Sequence, residues 1–182
     1  MGNLKDATPL INAIRYSKNC NLFYVQSLLE YGAKPNFEIQ NPQKGYQFAN
    51  SFPLLVAINK VDSDGEGCLN LVRLLVDKGA NMNCCYKQDY SELCEGVITT
   101  SLRAENLQAL KYFVIDKNIT IPDTVYIYGE INKSTQQVYG LNEVLKSENF
   151  LFEDFEDELG KHTFSNERKT RDEILIYLEK KK

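Results

Sequence analysis

The sequence predicts an all-α fold, a solenoid of stacked helix pairs. Three observations predict it. The chain writes one helix ending twice, as Glu30-Tyr31-Gly32-Ala33-Lys34-Pro35-Asn36 and Asp77-Lys78-Gly79-Ala80-Asn81-Met82-Asn83. It writes one helix opening twice, as Thr8-Pro9-Leu10-Ile11-Asn12-Ala13 and Phe52-Pro53-Leu54-Leu55-Val56-Ala57. A third copy of the ending, Leu110 to Asn118, aligns with Leu71 to Gly79 without gaps. A recurring opening and ending define a repeating unit, and periods of this size belong to stacked helix pairs.

Each element follows from local chemistry. Pro9 and Pro53 suit the first helical position, where the missing N–H would have had no partner. Ala13 and Ala57 are small and let neighbouring helices approach. Val25, Leu28 and Leu29 form the apolar run of the second helix in the first unit; Leu71, Val72, Leu74, Leu75 and Val76 do so in the second. Gly32 and Gly79 then supply the left-handed residue that ends a helix, at no Cβ cost. In the third unit Val97 to Ala104 is the first helix, with Ser101 as its small residue. Asn118 takes the glycine position there, as the next best left-handed residue. A worn fourth unit has Tyr139 to Ser147 as its first helix and Arg171 to Glu179 as its second, with an insertion, 148–169, between them. The expected organisation is a single domain, 1–182, with units at about 5–37, 50–83, 92–121 and 135–182.

From Thr8 to about Pro122 the chain resembles the ankyrin-repeat family, whose units open Thr-Pro-Leu-His-x-Ala and end in a Gly-Ala-Asp-x-Asn turn into a β-hairpin finger; the resemblance implies an ankyrin-like solenoid with β-hairpin or loop fingers between the helix pairs. Ile11 and Leu55 stand where that family has His, and Phe52 replaces Thr in the second unit. The spacing also departs: Gly32 to Gly79 is 47 residues and Gly79 to Asn118 is 39, against about 33 for a standard unit. The surplus lies in the finger 36–51 and in the helix–helix loop 61–67. Lengthened connections are what a stack tolerates, since loop closure costs little per added residue.

At 182 residues with 43% hydrophobic side chains, eleven Tyr and nine Phe, the chain can bury a continuous core. A net charge of −4 gives no reason to expect nucleic acid or an anionic membrane as partner. No segment has the roughly 18 apolar residues of a membrane span, and Met1 to Asp6 lacks the apolar stretch of a signal peptide. Five cysteines, an odd number with one vicinal pair, favour reduced thiols. The expected location is the cytoplasm, or a host cytosol for a secreted effector.

Chemistry finds little foothold. Asp62, Asp64 and Glu66 fall at the first, third and fifth positions of a calcium-loop pattern, with Gly67 at the sixth. Its twelfth position, a bidentate Glu in real sites, is Arg73. Cys84, Cys85, Cys94 and His162 lack zinc-site spacing. One histidine in the chain limits Cys–His catalysis, and no phosphate loop, nucleophile elbow or His-Glu-x-x-His helix is present. The sequence therefore predicts no catalytic residue, no cofactor and no metal. Phe152, Phe155 and Leu159, interleaved with acids, have the spacing of a one-sided helix capping the stack; Glu153 to Glu158 also suits a basic docking partner.

What the resemblance implies is non-enzymatic binding of a partner protein through the fingers and the concave helix face, with the chain expected to be monomeric by itself. Finger aromatics are the candidate contacts: Tyr46 and Phe48 in the first finger, Tyr86 and Tyr90 in the second, Tyr126 and Tyr128 in the third. Tyr offers large area with few rotatable bonds. An adaptor, and an inhibitor or host-directed effector that occludes one target, both remain open; an enzyme is the least favoured class.

Overall fold

In a computed structural model of the protein, the residues described are 8–36, 52–60, 68–87, 94–128, 136–147, 155–157, 160–162 and 165–181. They are mainly helical, and strand among them is confined to three two-stranded antiparallel pairs. The chain divides into two compact units, Met1–Ala109 and Leu110–Lys182, a division that falls inside the third expected repeat.

The first unit is built around α3 (Pro53–Ile58), which packs against α1 (Pro9–Tyr16) on one side and α5 (Val97–Arg103) on another. Its composition demands that place. Every residue of Pro53-Leu54-Leu55-Val56-Ala57-Ile58 is buried, as befits a helix apolar all round. α1 is one-sided instead, burying Leu10, Ile11 and Ile14 while Asn12, Arg15 and Tyr16 keep contact with solvent. Thr8 caps it, its hydroxyl oxygen accepting the Ile11 N–H at 3.2 Å. The outer helices α2 (Phe23–Glu30) and α4 (Leu69–Asp77) pack on α1 and α3 respectively. Strands β1 (Cys85–Lys87) and β2 (Cys94–Gly96) pair antiparallel, Tyr86 facing Glu95 across the ladder. Behind β2, the Glu95 carboxylate is fully buried and meets the Arg103 guanidinium at 2.8 Å.

The twin turns close identically. Gly32 and Gly79 have φ of 92° and 88°. Ala33 N–H donates to Leu28 O, and Ala80 N–H to Leu75 O, both at 2.9 Å. Asn36 joins the two turns: its amide nitrogen donates to Gly79 O at 2.8 Å and its oxygen accepts the Asn81 N–H at 2.6 Å. Higher up, Lys60 Nζ donates to Arg15 O at 2.9 Å, and Asn106, buried, donates to Ile58 O at 3.0 Å while accepting the Ala109 N–H.

In the second unit the helix α6 (Leu107–Lys111), which begins in the first, runs on into a π-helical turn, Tyr112–Asp116. Asn118 is left-handed, at φ 49°, as its glycine-like position requires. Strands β3 (Val125–Tyr128) and β4 (Gln136–Tyr139) lead to α7 (Leu141–Leu145), then to β5 (Phe155–Asp157), β6 (Gly160–His162) and α8 (Ser165–Lys180). Thr170, Ile174 and Leu178 are the buried stripe of α8, which packs on α7 and the π-helical turn. An ion pair joins Lys111 to Glu173, and Tyr177 donates its hydroxyl to Asn118 Oδ1 at 2.9 Å.

Four expectations need correction. The acidic segment does not supply a capping helix over 152–159: Phe155–Asp157 is a strand paired with Gly160–His162. On a helix over 152–159, Glu153 and Asp157, and Asp154 and Glu158, would stand as like charges four apart, with no cation within that span. The last helix starts at Ser165, inside what reads as insertion, because Asn166 to Lys169 are compatible with a solvated first turn. Tyr139 ends β4 instead of opening a helix, which starts after Gly140. Finally, Cys20 and Cys68 form a disulfide, with Cα atoms 5.5 Å apart. Their proximity comes from packing of the first two helix pairs, across 48 residues of sequence, so spacing could not announce it. The candidate calcium loop 61–67 lies outside the described residues.

Cys20→Ser should lower unfolding free energy by about 2–4 kcal/mol in urea titrations, and wild-type protein in reductant should match the variant. Equal stability with and without reductant would show that the bond contributes nothing. At Glu173, the hydrogen bond from Lys111 holds the carboxyl below the ordinary glutamate range, partial desolvation opposes this, and the Lys111 and Lys169 charges add to the lowering. A depressed folded pKa stabilises above the unfolded value, and that contribution is lost as pH falls through the folded one. The melting-temperature advantage of wild type over Glu173→Gln should therefore hold near neutral pH and shrink on acidification below the ordinary glutamate range; a gap independent of pH would contradict it.

Candidate functional site

The expected finger residues are placed unevenly. Tyr86 lies in β1 of the first unit, and Tyr126 and Tyr128 lie in β3 of the second, opposite Val138 and Gln136 of β4. Tyr46, Phe48 and Tyr90 lie outside the described residues.

A surface that the sequence did not single out lies on the first helix pair. Ala13 and Tyr16 of α1, Tyr24 and Leu28 of α2, and the residues just past each helix, Ser17 and Tyr31, line a groove of about 620 Å³. Its tyrosines are solvated: Tyr16 is 68% exposed, Tyr24 69% and Tyr31 92%. Phe23, in edge contact with Tyr24 at 5.4 Å, adds a fourth exposed ring. Lys18 and Asn21, from the turn between the helices, supply polar lining.

How the groove arises is clear from the second helix pair. Aligning Gly32 on Gly79 places Tyr24 opposite Leu71 and Leu28 opposite Leu75; aligning Pro9 on Pro53 places Ala13 opposite Ala57. Ala57, Leu71 and Leu75 are fully buried. Their first-pair counterparts are not: Ala13 and Leu28 are half-buried and Tyr24 is exposed. Positions used for packing in the second pair are uncovered in the first. The groove is thus the unfilled side of a packing pattern that recurs in the unit. The signal was present as Tyr24, Leu28 and Tyr31 at i, i+4, i+7, but an apolar stripe at that spacing reads equally well as core.

Chemically the groove suits apolar and aromatic side chains. Among the described residues Lys18 is its one charged lining residue, and no carboxylate, imidazole or thiol of theirs lines it. Among the described residues no group of three or more His, Cys, Asp and Glu is placed to hold a metal ion, and no helix is long and apolar enough to cross a membrane. Comparison with protein-family models, with curated proteins and with solved structures finds no match to the chain.

Paired truncations separate the two faces. Leu75→Ala should cost about 2–5 kcal/mol, as a fully buried leucine does, whereas Leu28→Ala should cost less than about 1.5 kcal/mol. Denaturant titrations on dilute protein read both. Equal costs would mean that the first-pair face is core.

Proposed function

We propose that the chain is a non-enzymatic protein–protein interaction module, built as a repeat solenoid similar to ankyrin arrays. The observation that carries this reading is the uncovered groove. A soluble chain that keeps Tyr16, Phe23, Tyr24 and Tyr31 exposed on one helix pair retains an aromatic patch that folding of the described residues does not use. Contiguous exposed apolar surface of this kind marks contact sites, and Tyr is a preferred anchor in them. The repeated glycine turns and the placement of α3 between α1 and α5 support the repeat architecture. A preassembled frame loses little ordering entropy on association. Two surfaces are proposed for contact: the α1–α2 groove, and the hairpins carrying Tyr86, Tyr126 and Tyr128.

A photo-crosslinking amino acid placed at position 24, 86 or 126, with exposed Lys117 as control, tests the reading in the cells that produce the protein. Irradiation should give discrete adducts with a polypeptide from the groove or hairpin positions and none from position 117. Absence of adducts at all three test positions would sink the module reading.

A further inference from the structure

We propose that a second copy of this chain occupies the α1–α2 groove, docking through the same face about a two-fold axis. This rests on reading the groove as a contact surface and names its occupant.

The first argument is continuity. In the first unit, inner helices pack in series, α1 on α3 and α3 on α5. The groove presents the positions which that packing pattern buries at Ala57, Leu71 and Leu75. What fits there is another helix pair offering a matching apolar face.

The second argument is self-complementarity, which a two-fold interface requires. The side of α2 that lines the groove carries exposed Tyr24 and half-buried Ser27 and Leu28, with exposed Tyr31 just past the helix end. A two-fold axis through its midpoint, between Ser27 and Leu28, sets two α2 helices antiparallel. It exchanges Tyr24 with Tyr31 and Ser27 with Leu28. Each exposed tyrosine then meets a tyrosine of the other copy, and each leucine meets a small serine, so large opposes small at the centre and ring opposes ring at both ends. Aromatic pairs of this kind add to simple area burial.

The third argument is charge. Lys18 stands before the start of α2 and Glu30 in its last turn, both exposed, with Glu30 accepting a hydrogen bond from Gln26 at 2.9 Å. The antiparallel arrangement brings the Lys18 end of one copy to the Glu30 end of the other. Opposite charges therefore meet at both rims, while a parallel arrangement would set like against like.

Tyrosine in place of leucine suits such an interface, because a monomer must keep this face wet. Two helices of eight residues each offer less than the roughly 800 Å² per partner of a standard interface. The dimer should accordingly be weak, with Kd on the order of 100 µM.

Sedimentation of the full chain between about 10 µM and about 1 mM measures this directly. The expected result is a monomer–dimer equilibrium that Tyr24→Arg and Ala13→Arg each weaken at least about tenfold, with unchanged circular dichroism. Lys18→Glu should also weaken it, and Lys18→Glu combined with Glu30→Lys should restore it, which simple stickiness would not do. Should Ala13→Arg disturb folding, the exposed positions 18, 24 and 30 decide alone. A chain monomeric throughout this range overturns the proposal, as does association indifferent to Tyr24→Arg or not rescued by the charge exchange. Monomeric protein whose position-24 crosslinker captures a different polypeptide also overturns it. That outcome leaves the interaction-module reading standing, and the two failures are therefore distinguishable.

Discussion

A helix of six residues with no polar side has one stable home, and the first unit is arranged around giving it that home. Leu54, Leu55, Val56 and Ile58 point to all sides of α3, and each such side chain stabilises by about 1.5–3 kcal/mol only if its own side is covered. α1 and α5 cover two sides and α4 a third. Once α3 is enclosed, its carbonyl ends are enclosed too, and buried peptide groups must find partners. Asn106 answers Ile58 O, while Lys60, just past α3, reaches back to Arg15 O. At the exposed glycine turns Asn36 makes a comparable long-range link, to Gly79 O and the Asn81 N–H. The apolar enclosure sets the spacing of the pairs, and long-range side-chain-to-backbone bonds fix their register.

The same logic explains what was legible in the sequence. Helix openings at Pro9 and Pro53 and endings at Gly32, Gly79 and Asn118 were readable because each rests on one residue's conformational preference. Even the placement of α1 relative to α3 is written locally: Asn12, Arg15 and Tyr16 break the apolar surface of the first helix, whereas Pro53 to Ile58 has no such break. Contacts between distant residues were not readable. Cys20 meets Cys68 only after two helix pairs have packed, and Tyr177 meets Asn118 only once α8 has docked. The acidic segment misled because Phe152, Phe155 and Leu159 fit a helical period, while pairing with Gly160–His162 depends on a hairpin that periodicity cannot report. The groove was hidden for a related reason. A stripe at i, i+4, i+7 declares a face, and only the neighbours decide whether that face is covered.

The groove is not an incidental gap at the margin of the fold, because its polar end is tied to the core. Lys18 opens and Asn21 follows a 3-10 turn, Lys18–Cys20, in which Asn19 and Cys20 both take left-handed backbone, at φ 47° and 54°. Two successive non-glycine residues in that region are costly, on the order of 1 kcal/mol each, and persist only where the surroundings hold them. Here the surroundings include a covalent bond from Cys20 to Cys68, the residue that caps α4 and is itself buried. Asn21 then uses its side-chain oxygen to accept the Phe23 N–H at 2.8 Å, starting α2 and orienting the helix that carries Tyr24 and Tyr31. The direction of the exposed tyrosine stripe is therefore set from the second helix pair, through a disulfide and a strained turn. A groove so fixed has its shape before any occupant arrives, which is the condition under which a small apolar surface binds at all.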